Sequence, residues 1–486
     1  MLTPHSAETS APTGMTQNPA RELANSFNLR VIFFLLAHMP LAYAMEALPL
    51  LATAHAVIVL LLGLRWALLG RSRQVMYTLA YIAGGDVLWR MTEARMFWEF
   101  GKYAIALLAL VALAVELRRM APPRRLRGIA PVLVLVAIVP AIVLALLDFG
   151  LADAIDPISF NVSVYVALAF ASLYFWRRPI DRKTAPWLLL ALMAPTVGIL
   201  FLASFNTVTQ IDFMSFKNAA SSLRSGGFGA NQVSNTLGLG ALCAFILIIL
   251  MPRARAARAV LAVLMVAMLV QAMLTFSRGG VYTFILAALV FGLHVLRTPG
   301  ARGRFLLLTA VFIALIAAVV YPTLDQFTGG MLTTRYQETS TTGRLEIAEA
   351  DLIAFQDARL LGVGVGESVA YHEYYMGDPL APHTEYTRLL AEHGVFGILI
   401  IALMAWMLLK GYLGNATGLG RAFSAAFAVW TLTVMTHSAT RIAAVALVFA
   451  LSLALWQVSP ARRTADDETE AAAAAGSPVK PRIGLR

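Results

Sequence analysis

Cysteine and charge are what this chain has least of. Cys243 is the single cysteine in 486 residues, which rules out an internal disulfide framework. It falls inside an apolar run and reads as a core thiol. Charged residues make up 13% of the chain and hydrophobic ones 59%, whereas soluble domains carry roughly a quarter charged residues, so a water-soluble core is excluded. Apolar runs of about 20 residues, the length needed to cross a bilayer, recur along nearly the whole chain. The short alternating strands of a membrane barrel are missing. The spans are therefore helices, and the expected fold is an all-α polytopic membrane protein with about 12–14 transmembrane helices and a large helical periplasmic loop. No apolar segment followed by a small-residue cleavage site opens the chain, so no removable signal peptide is expected. No internal repeat is present either, which weakens the inverted-repeat pattern of many secondary transporters.

The net charge of +11 is not a nucleic-acid signal, because the basic residues fall in short clusters between apolar runs. These are Arg71 and Arg73; Arg118, Arg119, Arg124, Arg125 and Arg127; Arg177, Arg178, Arg182 and Lys183; Arg253, Arg255 and Arg258; and Arg297, Arg302 and Arg304. By the positive-inside rule they mark cytoplasmic loops. Spans are expected near 28–45, 47–69, 75–91, 99–117, 129–149, 158–176, 185–204, 234–251, 256–275, 280–297, 304–322, 394–411, 422–436 and 441–457. The tight first and last pairs are open to re-entrant or kinked alternatives. Residues 1–26 form a cytoplasmic tail, 27–460 the transmembrane domain, and 461–486, alanine-rich with acidic residues and prolines, a cytoplasmic tail too poor in large apolar residues to fold alone.

Two outer loops, 205–233 and 323–393, lack a dense basic cluster. In the longer one, Thr341 or Thr342 can cap a helix with Leu345, Ala348, Leu352 and Phe355 on one face, lying on the membrane surface or on the bundle. Arginines on this side break the positive-inside pattern. Arg278, in Ser277-Arg278-Gly279-Gly280, and Arg224, in Arg224-Ser225-Gly226-Gly227, both sit beside glycines that open the backbone to a large anion. Each alone reads more simply as an interfacial arginine or a flexible loop. Together they offer two guanidinium forks, a geometry that holds a pyrophosphate without a metal. His383 lies just before a span and titrates near working pH, so it can accept a proton from an attacking hydroxyl. His372, His393 and His437 have weaker local support. Asp153 and Asp156 read as solvated loop charges, and no metal or other cofactor is expected.

The stretch His383-Thr384, nine residues, Gly394, two residues, Gly397 resembles the signature of the O-antigen ligase and polymerase superfamily of bacterial envelopes. Gly343-Arg344-Leu345-Glu346-Ile347, followed by Leu360-Leu361-Gly362-Val363-Gly364-Val365-Gly366, is similar to the loop that precedes the histidine in that family. Arg224 and the Ser277–Gly279 step match its two arginines. Thr384 stands where Asn, Ser or Arg is more usual, and Ala348 where Trp is frequent.

The resemblance implies metal-independent, inverting glycosyl transfer from an undecaprenyl pyrophosphate-linked glycan at the periplasmic face of the bacterial inner membrane. Arg224 and Arg278 would bind the pyrophosphate, Arg344 would assist with phosphate on donor or core, and His383 would act as base or orient the acceptor. The acceptor is lipid A-core for a ligase, a growing chain for a polymerase, and a protein hydroxyl for an O-oligosaccharyltransferase. Ligase is the expectation and polymerase the main alternative. A transporter without covalent chemistry is a reading from a different class, since charges near spans also mark transport paths. Membrane lipids and the two glycan substrates are the expected partners; nucleic acid is not.

Overall fold

The computed structural model describes residues 19–119, 128–210, 220–251, 254–297, 299–338, 343–377, 379–437 and 441–458. Most of both expected tails, and the caps expected at Thr341 and Thr342, lie outside the described residues.

Helices α1 (Pro19–Leu36), α2 (His38–Ala47), α3 (Pro49–Leu68), α4 (Ser72–Met91) and α5 (Phe100–Arg119) lead into α6 (Ala130–Phe175). Helix α6 is 46 residues long and broken at Gly150, whose φ of 71° and ψ of 170° are not helical, so it supplies two of the expected spans. There follow α7 (Thr184–Thr209), α8 (Ala230–Leu250), α9 (Arg255–Leu274) and α10 (Gly279–Leu296). Helix α11 (Pro299–Leu315) passes through a π turn (Ile316–Val320) into α12 (Tyr321–Phe327). The long loop holds four helices, α13 (Met331–Gln337), α14 (Arg344–Asp357), α15 (Ser368–Met376) and α16 (Glu385–His393). Helices α17 (Val395–Gly414), α18 (Gly418–Val434) and α19 (Ala443–Ser452) close the bundle. Ten helices among the described residues are long and apolar enough to cross a membrane.

Helices α7 and α8 form the centre: 83% and 78% of their apolar windows are buried, against none of the window in the peripheral 305–327 helix. The segment expected to span at 441–457 is shorter than that. Helix α19 has ten residues, about 15 Å at the helical rise, which is half of a bilayer core. All ten are buried. Its apolar sequence reflects enclosure by α4, α6 and α18 rather than contact with lipid. It then turns into strand β2 (Leu455–Gln457), which pairs in parallel with β1 (Pro179–Asp181).

That small sheet lies at the end of the bundle where the basic clusters meet. Arg73 bonds Asp181 at 2.6 Å, Arg178 bonds Glu116 at 2.7 Å, and Arg119 donates to the carbonyls of Leu68 and Leu69. Following each helix across the bundle brings the far ends of α4, α7 and α9, and the starts of α8 and α10, to the opposite end, together with the 331–393 helices.

Candidate active site

The backbone around His383 is one knot built from the two segments that carry the resemblance. Helix α16 starts at Thr384, whose hydroxyl accepts the Thr387 N–H at 3.3 Å, a cap that explains a threonine at this position. Helix α16 ends at Gly394, where φ is 58° and an added Cβ would fall 2.6 Å from the Arg359 carbonyl oxygen and the Gly362 nitrogen. Only glycine fits that bend. The 359–364 segment then hydrogen-bonds along the α16–α17 corner, through Val363 N–H to Ala391 O (2.9 Å), Gly364 N–H to Glu392 O (3.2 Å) and Val395 N–H to Arg359 O (2.8 Å).

Helix α14 supports this knot through Asp351. Asp351 accepts from Thr387 Oγ1 at 2.6 Å and from His372 Nε2 at 2.9 Å, while His372 Nδ1 donates to Leu380 O at 2.5 Å. Burial opposes charging His372, but the bonds to Asp351 and Leu380 outweigh it and raise its pKa. With both ring nitrogens engaged, His372 ties the 379–384 segment to α14. The face that packs is Ile347, Ala350, Asp351 and Ala354, whereas Leu345 and Leu352 of the expected apolar face point outward.

The arginines assemble around Phe276, a non-glycine residue held at φ 58°. Its ring lies 4.0 Å below the Arg224 guanidinium, and its carbonyl accepts from Arg335 Nε at 3.0 Å. Arg335 also pairs with Glu338 at 2.7 Å. Arg278 donates to the carbonyls of Arg335 and Glu338. The turn carrying Phe276 is pinned to α8 by Ser277 Oγ to Asn231 Oδ1 (2.7 Å) and Ser234 Oγ to Ser277 O (2.8 Å). Arg441 donates to Pro382 O at 3.1 Å, next to His383.

The electrostatics show that these cations have one another for neighbours. Burial lowers the Arg344 pKa, and repulsion from Arg278 and Arg335 lowers it further. Arg344 Nε is buried and has no hydrogen-bond partner among the described residues. His383 is pushed down to about 4 by burial and then by Arg344, Arg441 and His372. It makes no hydrogen bond to the described residues. His437 is also held at about 4 by burial, with Arg344 and His383 adding to the effect. Both rings are neutral near pH 7, the state in which a histidine can take a proton. Among the described residues, no group of three or more His, Cys, Asp or Glu side chains gathers as a metal-binding set.

All four residues expected from sequence, Arg224, Arg278, Arg344 and His383, therefore converge on one end of the bundle. The glycines beside Arg278 act differently from expectation. An added Cβ on Gly279 would meet His437 Nε2 at 2.1 Å, and one on Gly280 the Ser234 carbonyl oxygen at 1.9 Å. They let His437 and helix α8 approach closely.

Sequence reasoning missed Arg335, Arg441 and the place of His437. The signal that exposed Arg278, an arginine on the outer side of the topology, applied equally to Arg335 and Arg441. His437, buried with Nε2 3.1 Å from Asn235 Oδ1, left no such mark.

Long apolar helices with arginines and neutral histidines gathered at one end of the bundle define a polytopic membrane protein of the all-α class. Residues 263–402 match the family model described as O-antigen ligase, Wzy_C, which covers Arg278, Arg335, Arg344 and the whole His383–Gly397 stretch. The match bears out the resemblance to the O-antigen ligase and polymerase superfamily, whose members are membrane glycosyltransferase-like enzymes. No curated protein matches the chain.

Proposed function

We propose that this protein is an O-antigen ligase that moves a glycan from undecaprenyl pyrophosphate to lipid A-core at the periplasmic face of the bacterial inner membrane. The observation that carries the reading is the convergence of Arg224, Arg278, Arg335 and Arg344 beside a neutral His383. A pyrophosphate bound there would turn the mutual repulsion of the cations into attraction. The basic clusters gathered at the opposite end support a cytoplasmic placement for that end, and hence a periplasmic one for the site.

The donor already carries its leaving group, so the protein has three tasks. It places the acceptor, takes one proton and stabilises the departing charge. His383 removes the proton from the acceptor hydroxyl as that oxygen attacks the anomeric carbon. The new glycosidic C–O bond forms as the bond from anomeric carbon to phosphate oxygen breaks. The electron pair leaves with undecaprenyl pyrophosphate into the arginine cluster. Attack opposite the leaving group inverts the anomeric centre.

The test is transfer by purified His383→Ala protein from lipid-linked glycan to lipid A-core, followed by gel shift. Loss of a general base lowers the rate by about a hundredfold to ten-thousandfold. Near-normal turnover would remove His383 from the chemistry. The acceptor is read from the lipopolysaccharide of a deletion strain: bare core indicates a ligase, core with a single repeat a polymerase, and unchanged lipopolysaccharide neither.

A further inference from the structure

A second cleft opens at the same end of the bundle, in the turn between α4 and α5, with a volume of about 300 Å³. Asp86, Arg90, Glu93, Phe97 and Trp98 line it. Phe97 and Trp98 are 60% and 49% exposed. The Trp98 ring lies 4.9 Å from the Arg90 guanidinium and 5.8 Å from the ring of Phe228, which sits in the loop that carries Arg224. This makes the cleft a neighbour of the arginine cluster.

Its chemistry differs from that of the cluster. Arg90 is neutralised by Asp86 at 3.0 Å, and Glu93 adds a negative charge, so nothing here selects a phosphate. The Arg90 side chain is only 6% exposed, and its Nε is buried with no hydrogen-bond partner among the described residues. Its Nη1 and Nη2 are held by the Arg441 carbonyl and Asp86, so the guanidinium is fixed in place beside the cleft. Glu93 is held at φ 50°, a conformation that non-glycine residues adopt mainly where surrounding structure enforces it. An exposed aromatic face beside a guanidinium and carboxylates matches a pyranose ring, whose C–H face stacks on the ring while its hydroxyls meet the polar edge. Anchoring in the lipid interface would explain Trp98 alone, but neither the fixed Arg90–Asp86 pair beside it nor the strained Glu93.

The cleft is also wired to the proposed base. Arg90 Nη1 donates to the Arg441 carbonyl at 3.0 Å, and Arg441 donates to the Pro382 carbonyl at 3.1 Å, one residue before His383. We propose that this cleft is a glycan subsite that binds an uncharged sugar ring of a substrate by stacking on Trp98 and hydrogen bonding to Arg90 and Glu93. The proposal rests on the glycosyl-transfer reading, which makes donor glycan and acceptor core the two sources of such a ring.

Binding to purified protein in nanodiscs tests it with three probes: inorganic pyrophosphate, oligosaccharide released from the strain's own lipid-linked glycan, and its core oligosaccharide. Trp98→Ala weakens one oligosaccharide about tenfold, as loss of an aromatic stacking platform does, and leaves pyrophosphate binding unchanged. Trp98→Phe retains most of the affinity. The oligosaccharide that weakens identifies the source. Trp98→Leu answers the same question if the alanine variant does not fold. Equal oligosaccharide binding by wild type and Trp98→Ala overturns the subsite. So does a wild type that binds pyrophosphate but neither oligosaccharide. A wild type that binds none of the three overturns the glycosyl-transfer reading itself, and the subsite falls with it.

Discussion

Two groups of buried charge lie within one loop of each other, and they are built on opposite plans. In α16, Arg388 sits between Glu385 and Glu392, bonded to the former and 3.3 Å from the latter. Tyr165 donates to Glu385, and Ser368 donates to Glu392 at 3.1 Å. Every charge in that group faces an opposite charge or a hydroxyl. Around Phe276 and His383 the cations of Arg224, Arg278, Arg335, Arg344 and Arg441 lie near one another, and Glu338 pairs with Arg335. The first group pairs its charges internally, leaving Arg388 Nε without a partner among the described residues, and holds the knot together. On the proposed reading the second would gain attraction from a bound pyrophosphate, which would make the first group structural and the second functional.

The largest break in this comparison comes from Arg388→Met. Removing the cation leaves two buried carboxylates facing each other, a change that destabilises by about 3–5 kcal/mol. Thermal unfolding in detergent should show a much lower midpoint, and Arg344→Met, measured alongside, should leave it unchanged or higher because a repelled cation is gone. Equal losses in both variants would mean that the two groups do the same job.

A smaller effect sharpens the contrast through pH. His383 is the active base only when neutral, and its surroundings hold its pKa near 4. The acidic limb of kcat/KM should therefore fall as pH drops through about 4, rather than through about 6.5 where an ordinary histidine titrates. Glu392, pushed up to about 7 by burial, could add a limb of its own, so the profile is measured in Glu392→Gln as well. A limb near 6.5 in both proteins would show that His383 does not sit among cations.

Much of this was readable from the chain, and the misses have physical causes. Helix positions followed from apolar run length, and in the His383–Gly397 stretch Thr384 caps α16 while Gly394 makes a bend that only glycine fits. Helix α19 was overread because burial inside protein and burial in lipid select the same residues. The Leu345–Phe355 stripe was found, but periodicity marks a face without saying what it meets. Gly279 and Gly280 looked like a phosphate loop, yet what fills the space beside a glycine is decided by α8 and His437, more than 40 and 150 residues away. Arg335 and Arg441 needed three-dimensional neighbours to stand out from other loop arginines.

The most direct test of the central claim is the binding of inorganic pyrophosphate to the purified protein at pH 7, followed by calorimetry and by the shift in unfolding midpoint. The account predicts saturable binding that raises the midpoint and weakens with salt. It also predicts about tenfold or greater loss of affinity in Arg278→Lys and Arg344→Lys, where the charge remains but the planar fork is lost. Absence of binding, or binding that both lysine variants retain in full, would contradict it.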